Sequence, residues 1–288
     1  MKALVLGGTR FFGKRLVSLL LQEGTEVTLL NRGRTKDPFG DEVHRIVLDR
    51  KELSSTSLAD QHWDIVYDQV CYDAAEATGA RAAFNGKTDR YIFTSTQAVY
   101  DAGAAIKESA FDPLTYHFDK PIDRSEDYAE GKRQAEAVLF QAAFPVVAVR
   151  FPIVLGEDDY TERLKFHIDR IRAGKPLYLP NLQAKLSLVS SADAAAFLAF
   201  LAHHDVVGPI NCCSEEPIAL SSLIEYAEEA TEQKALTVGR PDLGETSPFG
   251  IATDWYMDVS RAKQLGFTAT PLKAWLPELV KQLAATRG

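Results

Sequence analysis

Short apolar runs alternate with amphipathic stretches through the first 150 residues, the order expected of βαβ units and a parallel sheet. The pattern predicts strands at 3–6, 26–30, 45–48, 64–70, 91–94 and 146–150, with helices between most of them. Residues 12–22 place Leu16, Leu19 and Leu20 at helical spacing and stop at Gly24, so both the period and the terminator of a helix are present. The stretch 33–41 is dominated by glycine, proline and charge, which predicts a loop where a crossover helix would otherwise run. Beyond Arg150 the punctuation changes: Pro152, Gly156, Pro176 and Pro180 interrupt the chain before a helical run at 192–202. A late strand at 210–213 can rejoin the main sheet. Helices at 223–232 and 277–285 then suit a smaller lobe, with Pro277 in the first turn of the second. The expected organisation is a nucleotide-binding unit at 1–150 and a substrate lobe over most of 151–288, with residues from about 186 to 215 returning to the main sheet.

The first predicted strand runs straight into Gly7, Gly8, Thr9, Arg10, Phe11, Phe12 and Gly13, which open the first helix. A turn of this kind brings backbone N–H groups and a helix N-terminus up to a pyrophosphate, and glycine permits the close approach. Gly7, Thr9, Arg10, Phe11, Phe12 and Gly13 are therefore candidate cofactor contacts. Arg10 stands where the middle glycine of a G-x-x-G-x-x-G spacing would fall; it either narrows the turn or offers a cation to the phosphates. At the end of the second strand an acidic residue would bind the ribose hydroxyls of NAD, but the chain has Asn31, Arg32, Gly33 and Arg34 there. Guanidinium groups suit a 2'-phosphate, so NADP(H) is expected in preference to NAD(H), held by Asn31, Arg32 and Arg34. Asp49, just after the third strand, is open to two roles: holding the adenine amino group, or capping a turn.

Two Tyr-x-x-x-Lys spacings occur. Tyr116 and Lys120 lie between Pro113 and Pro121, and a residue before proline is pushed out of helical conformation, so these two should not share a face. Tyr128 and Lys132 open a good helical sequence, with Ser125, Glu126 and Asp127 as start signals, and so fall one turn apart. A lysine ammonium near a phenol stabilises the phenolate, which makes Tyr128 the candidate proton-transfer group. The predicted strand beginning at Tyr91 ends in hydroxyls at the C-terminal edge of the sheet, where ligands of open α/β folds bind. Thr96 is the candidate to hydrogen-bond a reacting oxygen, and Ser95 is its neighbour and alternative.

With 288 residues, 46% hydrophobic and 25% charged, the chain can bury a full core. Its formal charge of -8, without any basic run, makes nucleic acid an unlikely partner. The opening apolar run is too short for a secretory leader, and no stretch has the length of a membrane span. Cys71 and the adjacent Cys212 and Cys213 suit a reducing compartment, so a cytoplasmic monomer or homodimer acting on a small-molecule substrate is expected. His203 and His204 have no acidic or thiol partner at ligand spacing, so no metal site is expected.

The glycine-rich first turn, the hydroxyl followed by x-x-Val-Tyr and the Tyr-x-x-x-Lys pair together resemble the short-chain dehydrogenase/reductase superfamily over nearly the whole chain. The segments 150–156, 190–193 and 258–267 resemble its extended branch, the NAD-dependent epimerases and dehydratases. The Gly-Gly-Thr-Arg-Phe turn and the segment from Ser247-Pro248-Phe249 to Leu265-Gly266-Phe267 look most like the chloroplast stem-loop-binding protein branch, some members of which bind RNA. The resemblance implies a Rossmann-type doubly wound α/β fold with a smaller C-terminal lobe. It implies Thr96 as the active hydroxyl, Tyr128 as general acid/base, and Lys132 also on the nicotinamide ribose. It further implies an NADP(H)-dependent oxidoreductase, epimerase or dehydratase working on a carbonyl or secondary alcohol. Sugar nucleotides are a substrate class of this branch, but Ile153 stands where an asparagine often contacts that substrate and Leu186 where an arginine often precedes the Asp193 segment. The alternative is a nucleotide-binding or RNA-binding protein on the same fold; the intact Thr96, Tyr128 and Lys132 and the acidic chain favour the enzyme.

Overall fold

Successive residues of the first strand go to opposite sides: Ala3 and Val5 join one buried cluster, Leu4 and Leu6 another. A strand buried on both faces reads as a continuous apolar run, which is why these strands stand out in the sequence. The computed structural model describes residues 1–58 and 61–286. Seven strands form one parallel sheet: β1 (Lys2–Leu6), β2 (Glu26–Asn31), β3 (His44–Val47), β4 (Ile65–Asp68), β5 (Tyr91–Thr96), β6 (Val146–Phe151) and β7 (Gly208–Asn211). Their spatial order is β7-β6-β5-β4-β1-β2-β3. The order reverses between β1 and β4, and the crevice above that point is where open α/β sheets bind ligands.

Helices cover both faces. On one side α1 (Phe11–Gln22) packs against α5 (Ser191–Phe200); on the other α2 (Ala74–Phe84) packs against α3 (Tyr128–Leu139). A third cluster, built on Leu155, Leu164, Ile168, Leu223, Leu276 and Leu279, joins α4 (Arg163–Arg172), α6 (Leu220–Thr231) and α8 (Leu272–Ala285), with the short α7 (Ser260–Gln264) before the last of these in sequence. The chain enters this part through the strand Ile153–Leu155, which pairs in parallel with Leu188–Ser190. Among the described residues no helix is long and apolar enough to cross a membrane. All three cysteines are free and buried.

Several boundaries differ from the sequence-based expectation, each for a local reason. Strand β4 stops at Asp68, not at residue 70, because the Asp68 carboxylate accepts the Val70 N–H at 3.0 Å and turns the chain. Helix α3 is capped by Asp127, whose side chain accepts from the Glu130 N–H at 3.0 Å, and Ser125 instead closes a turn on Asp123. Helix α8 begins at Leu272 behind Pro271, so Pro277 lies inside the helix and not in its first turn; the apolar face of Leu272, Leu276, Leu279 and Val280 carries the helix past it. Between β2 and β3 the crossover is a loop with one 3-10 turn at Gly40–Glu42, as the composition of 33–41 requires.

Candidate active site

Helix α1 starts without a side-chain cap and without an acidic residue in its first turn, whereas Asp73, Asp127 and Ser190 cap α2, α3 and α5. Its first N–H groups are left for an anion. Gly7 has φ of 88°, a left-handed backbone that a side chain would strain, and a Cβ at Gly13 would lie 2.3 Å from the Gly7 carbonyl oxygen. Arg10 is exposed and occupies the N-cap position, and it is Phe11, at φ 50°, that takes the second left-handed turn. Such a conformation in a bulky residue is strained and persists only where the surroundings hold it. Here Phe12 and Tyr160 pack edge-on against the Phe11 ring at 5.4 and 6.2 Å. Thr9 is half-buried in the same turn.

At the tip of β2 the Asn31 side chain accepts the Gly33 N–H at 2.7 Å, which shapes the turn carrying Arg32 and Arg34, both exposed. Of the two roles open to Asp49, the cap is present: its carboxylate accepts the Lys51 N–H at 3.1 Å. The same carboxylate lies 4.0 Å from the Arg32 guanidinium, on the neighbouring strand end.

The second cluster of candidate residues lies where α3 meets β5. Tyr128, Lys132 and Glu136 are spaced four apart and form one stripe down the helix. At its deep end Glu136 is fully buried against Arg150, whose Nη2 and Nε reach the carboxylate at 2.6 and 3.0 Å, and the Ser95 hydroxyl also donates to it. Arg150 continues to the Tyr100 hydroxyl at 2.8 Å and to the carbonyls of Glu108 and Phe111. Burial works against the Arg150 charge, but the Glu136 carboxylate and the Tyr100 hydroxyl together outweigh it and raise the guanidinium above its ordinary value. Lys132, in the middle of the stripe, is 2% exposed, and its ammonium donates to the carbonyls of Cys71 at 2.6 Å and Thr94 at 2.8 Å. At the open end Tyr128 is 44% exposed, so its phenol is free to meet a ligand.

The two strand-end hydroxyls differ in their partners. Ser95 is committed to Glu136, while Thr96 ends β5 at the cleft and uses its oxygen only to accept the Ala98 N–H at 3.1 Å. Tyr116 and Lys120 lie outside any helix, and the Tyr116 hydroxyl donates to the Glu130 carboxylate. Partial burial and that carboxylate push the Tyr116 phenol up to about 12, the wrong direction for proton exchange near neutrality. Tyr72, next to Tyr128, is likewise pushed up to about 12 by burial; its ring lies between Arg124 at 4.2 Å and the Lys132 ammonium at 4.8 Å.

A cleft of about 510 Å³ opens above these groups, lined by Phe11, Phe12, Thr96, Tyr128 and Lys132 on the sheet side. Ile153, Leu186, Phe249 and Trp255 line the other side. The glycines of the turn and Arg32, Arg34 and Asp49 are outside this cleft, along the β1–β2 side of the sheet edge. Sequence reasoning missed Gln69, Gln97, Asp159, Arg163 and Trp255, all of which line it. Gln69 follows the end of β4, so the rule that ligands bind at C-terminal strand ends could have pointed to it. Arg163 and Trp255 arrive from distant segments and carry no local signal.

The segment Ser247-Pro248-Phe249 is anchored by His167 on α4. The His167 Nδ1 donates to the Arg163 carbonyl at 2.8 Å, which leaves Nε2 to accept from the Ser247 hydroxyl at 2.7 Å, and its ring stacks on Phe249 at 4.7 Å. Burial pushes this imidazole down to about 4. The unfolded chain therefore takes up a proton below the ordinary value of 6.5 that the folded chain refuses until about pH 4. Stability present above pH 6.5 should fall by up to about 3 kcal/mol across that window. Urea unfolding at about pH 7 and about pH 4.5, compared between wild type and His167→Gln, measures it; an equal acid loss in both chains would refute the assignment.

A doubly wound parallel sheet, a glycine-lined helix start at its switch point and a Tyr-x-x-x-Lys helix beside a strand-end hydroxyl define a dinucleotide-binding enzyme of the short-chain dehydrogenase/reductase type. The chain belongs to the NAD dependent epimerase/dehydratase family, whose model matches residues 3–213. It is 26% identical over 250 residues to the chloroplast stem-loop binding protein of 41 kDa b of Arabidopsis thaliana; the match takes in 80% of this chain and 63% of that relative's length. Among solved structures it is similar to the UDP-glucuronic acid 4-epimerase of Bacillus cereus in complex with NAD, with a TM-score of 0.74 and 18% identity over 99% of this chain and 96% of that one. It is also similar to the UDP-glucose 4-epimerase of Thermus thermophilus in complex with NAD, with a TM-score of 0.71 and 18% identity over 99% and 98% of the two chains. At that identity the likeness is one of fold.

Proposed function

We propose that the chain binds a nicotinamide dinucleotide, NADP(H) in preference to NAD(H), and passes hydride between it and a carbonyl or secondary alcohol. The exchange is either a net oxidoreduction or a transient step within an epimerisation or dehydration. The observation that carries this reading is the convergence of Thr96, Tyr128 and Lys132 on one cleft at the C-terminal edge of the sheet. The cradle at Gly7 and Gly13, closed to any Cβ, and the uncapped start of α1 fit a pyrophosphate. In this reading residues 1–150 hold the cofactor and most of 151–288 the substrate.

Gly7, Thr9, Arg10, Phe11, Phe12 and Gly13 would surround the pyrophosphate, and Asn31, Arg32 and Arg34 the adenosine ribose with its 2'-phosphate, with Asp49 steadying Arg32. The bound cofactor supplies a hydride acceptor or donor. Lys132, fixed by two carbonyls, has one ammonium proton left to donate to the nicotinamide ribose and places its charge on the phenol side of the cleft. Tyr128 moves a proton at the substrate oxygen, as general base in oxidation and as general acid in reduction. Thr96 donates a hydrogen bond to that oxygen and orients it. The apolar wall of Phe151, Pro152, Ile153 and Phe249 excludes water. Screening carbonyl compounds with NADPH, and secondary alcohols with NADP+, tests the reading. Substrate-dependent change in nicotinamide absorbance, or an isomerised or dehydrated product, supports it; a chain that binds neither dinucleotide contradicts it.

A further inference from the structure

Among the described residues, the charged side chains lining the cleft are Lys132, Asp159 and Arg163. Lys132 already spends two of its three donors on carbonyls, so Arg163 is the cation left for a substrate. Its guanidinium, half-buried at the first position of α4, makes no hydrogen bond and no ion pair with any described residue. Its backbone is held by the His167 imidazole that also ties down the Ser247-Pro248-Phe249 segment, so its base is fixed relative to the cleft wall. One guanidinium carries a single positive charge, and its planar N–H groups match a carboxylate or a phosphate monoester in bidentate fashion.

A nucleoside diphosphate would bring two phosphates to this wall. The two positions where relatives in this branch often carry asparagine and arginine are Ile153 and Leu186, and both line the cleft as apolar side chains. Bringing a second anionic group against them, with Asp159 nearby, costs desolvation that nothing there offsets. The remaining polar groups are of another kind. The Gln97 Oε1, on a side chain 6% exposed, and the Asp159 Oδ2 are buried acceptors without a partner, and the Trp255 Nε1 is a buried donor without one. Buried polar atoms without partners are expensive, and hydroxyl groups, which both donate and accept, would satisfy all three.

Resting on the reading of this cleft as the hydride-transfer site, we infer that its substrate is a polyhydroxylated compound with a single anionic group, a sugar acid or a sugar monophosphate, whose anionic group pairs with Arg163, and not a nucleoside diphosphate sugar. Saturation-transfer NMR on NADP+-loaded protein, with D-gluconate, D-glucose 6-phosphate and UDP-glucose as probes, tests it. At least one of gluconate and glucose 6-phosphate should bind more tightly than UDP-glucose, and Arg163→Gln should weaken it about tenfold or more, the scale of a lost charge-assisted hydrogen bond, while NADP+ affinity stays unchanged. Gluconate alone marks a carboxylate site, glucose 6-phosphate alone a phosphate site. Tighter binding of UDP-glucose, silence from both gluconate and glucose 6-phosphate, or equal binding by Arg163→Gln overturns the inference. If NADP+ itself fails to bind, it is the proposed function that falls; if NADP+ binds and gluconate and glucose 6-phosphate behave otherwise than stated, only the substrate assignment does.

Discussion

Tyr128→Phe is expected to lower turnover by about 10²–10⁴-fold, the range for losing a positioned acid/base group, while leaving thermal stability and cofactor affinity where they were. The phenol is 44% exposed at the open end of its helix and makes no hydrogen bond with any described residue, so removing one oxygen disturbs little packing. Lys132→Met should differ in kind. It strips the donor from the carbonyls of Cys71 and Thr94 and removes the ammonium one helical turn along from Tyr128, so cofactor affinity and turnover should fall together. Tyr116→Phe serves as the control, because the Tyr116 hydroxyl is tied to Glu130 away from the cleft. Steady-state kinetics on the three variants decides the matter. Wild-type turnover in Tyr128→Phe combined with a large loss in Tyr116→Phe would mean the catalytic pair is the other one.

The largest stability effect is expected at the foot of the same helix. Glu136→Ala leaves Arg150 buried without its carboxylate and the Ser95 hydroxyl without its acceptor. Breaking a buried ion pair from one side typically costs about 3–5 kcal/mol, and the extra orphaned hydroxyl places this change at the upper end. Glu136→Gln keeps the shape and an acceptor, so its loss should be smaller. Because Ser95 sits beside Thr96, and Lys132 is one turn from Glu136, the alanine variant should also displace the active residues. Urea unfolding of wild type and the two variants measures the order; a loss under about 1 kcal/mol for Glu136→Ala would show that the pair is not what holds α3 to β6.

Much of the sheet is legible in the sequence because its strands are buried on both faces and so stand out as apolar runs between turn residues. The Tyr128–Lys132 pair is legible for a different reason: the prolines around Tyr116 exclude a helix there, while the residues after Asp127 favour one. Helix α3 starts at Tyr128 as the sequence places it, with Asp127 and not Ser125 as its cap, whereas α8 starts a few residues earlier than expected, since Pro271 precedes its first turn and Pro277 falls inside it. The Glu136–Arg150 pair is not legible at all. On a helix, Glu136 looks like an ordinary solvent-facing charge, and only the closeness of α3 to β6 gives it a buried partner. The wall of the cleft away from the sheet is equally hidden, because Arg163, Phe249 and Trp255 come to it from distant segments. The apolar identities of Ile153 and Leu186 can be read from the sequence, and their place on the cleft wall gives those two departures their consequence.

Calorimetric titration of NADP+ and NAD+ into the wild-type chain and Arg32→Ala measures the binding of the dinucleotide and the contribution of its 2'-phosphate directly. Arg32 and Arg34 sit exposed at the tip of β2, which ends in Asn31 and not in an acidic residue, so NADP+ should bind about tenfold or more tightly than NAD+. Arg32→Ala should narrow that difference mainly by weakening NADP+. Equal affinities, or tighter binding of NAD+, would contradict the preference, and heat from neither dinucleotide would contradict dinucleotide binding by this chain altogether.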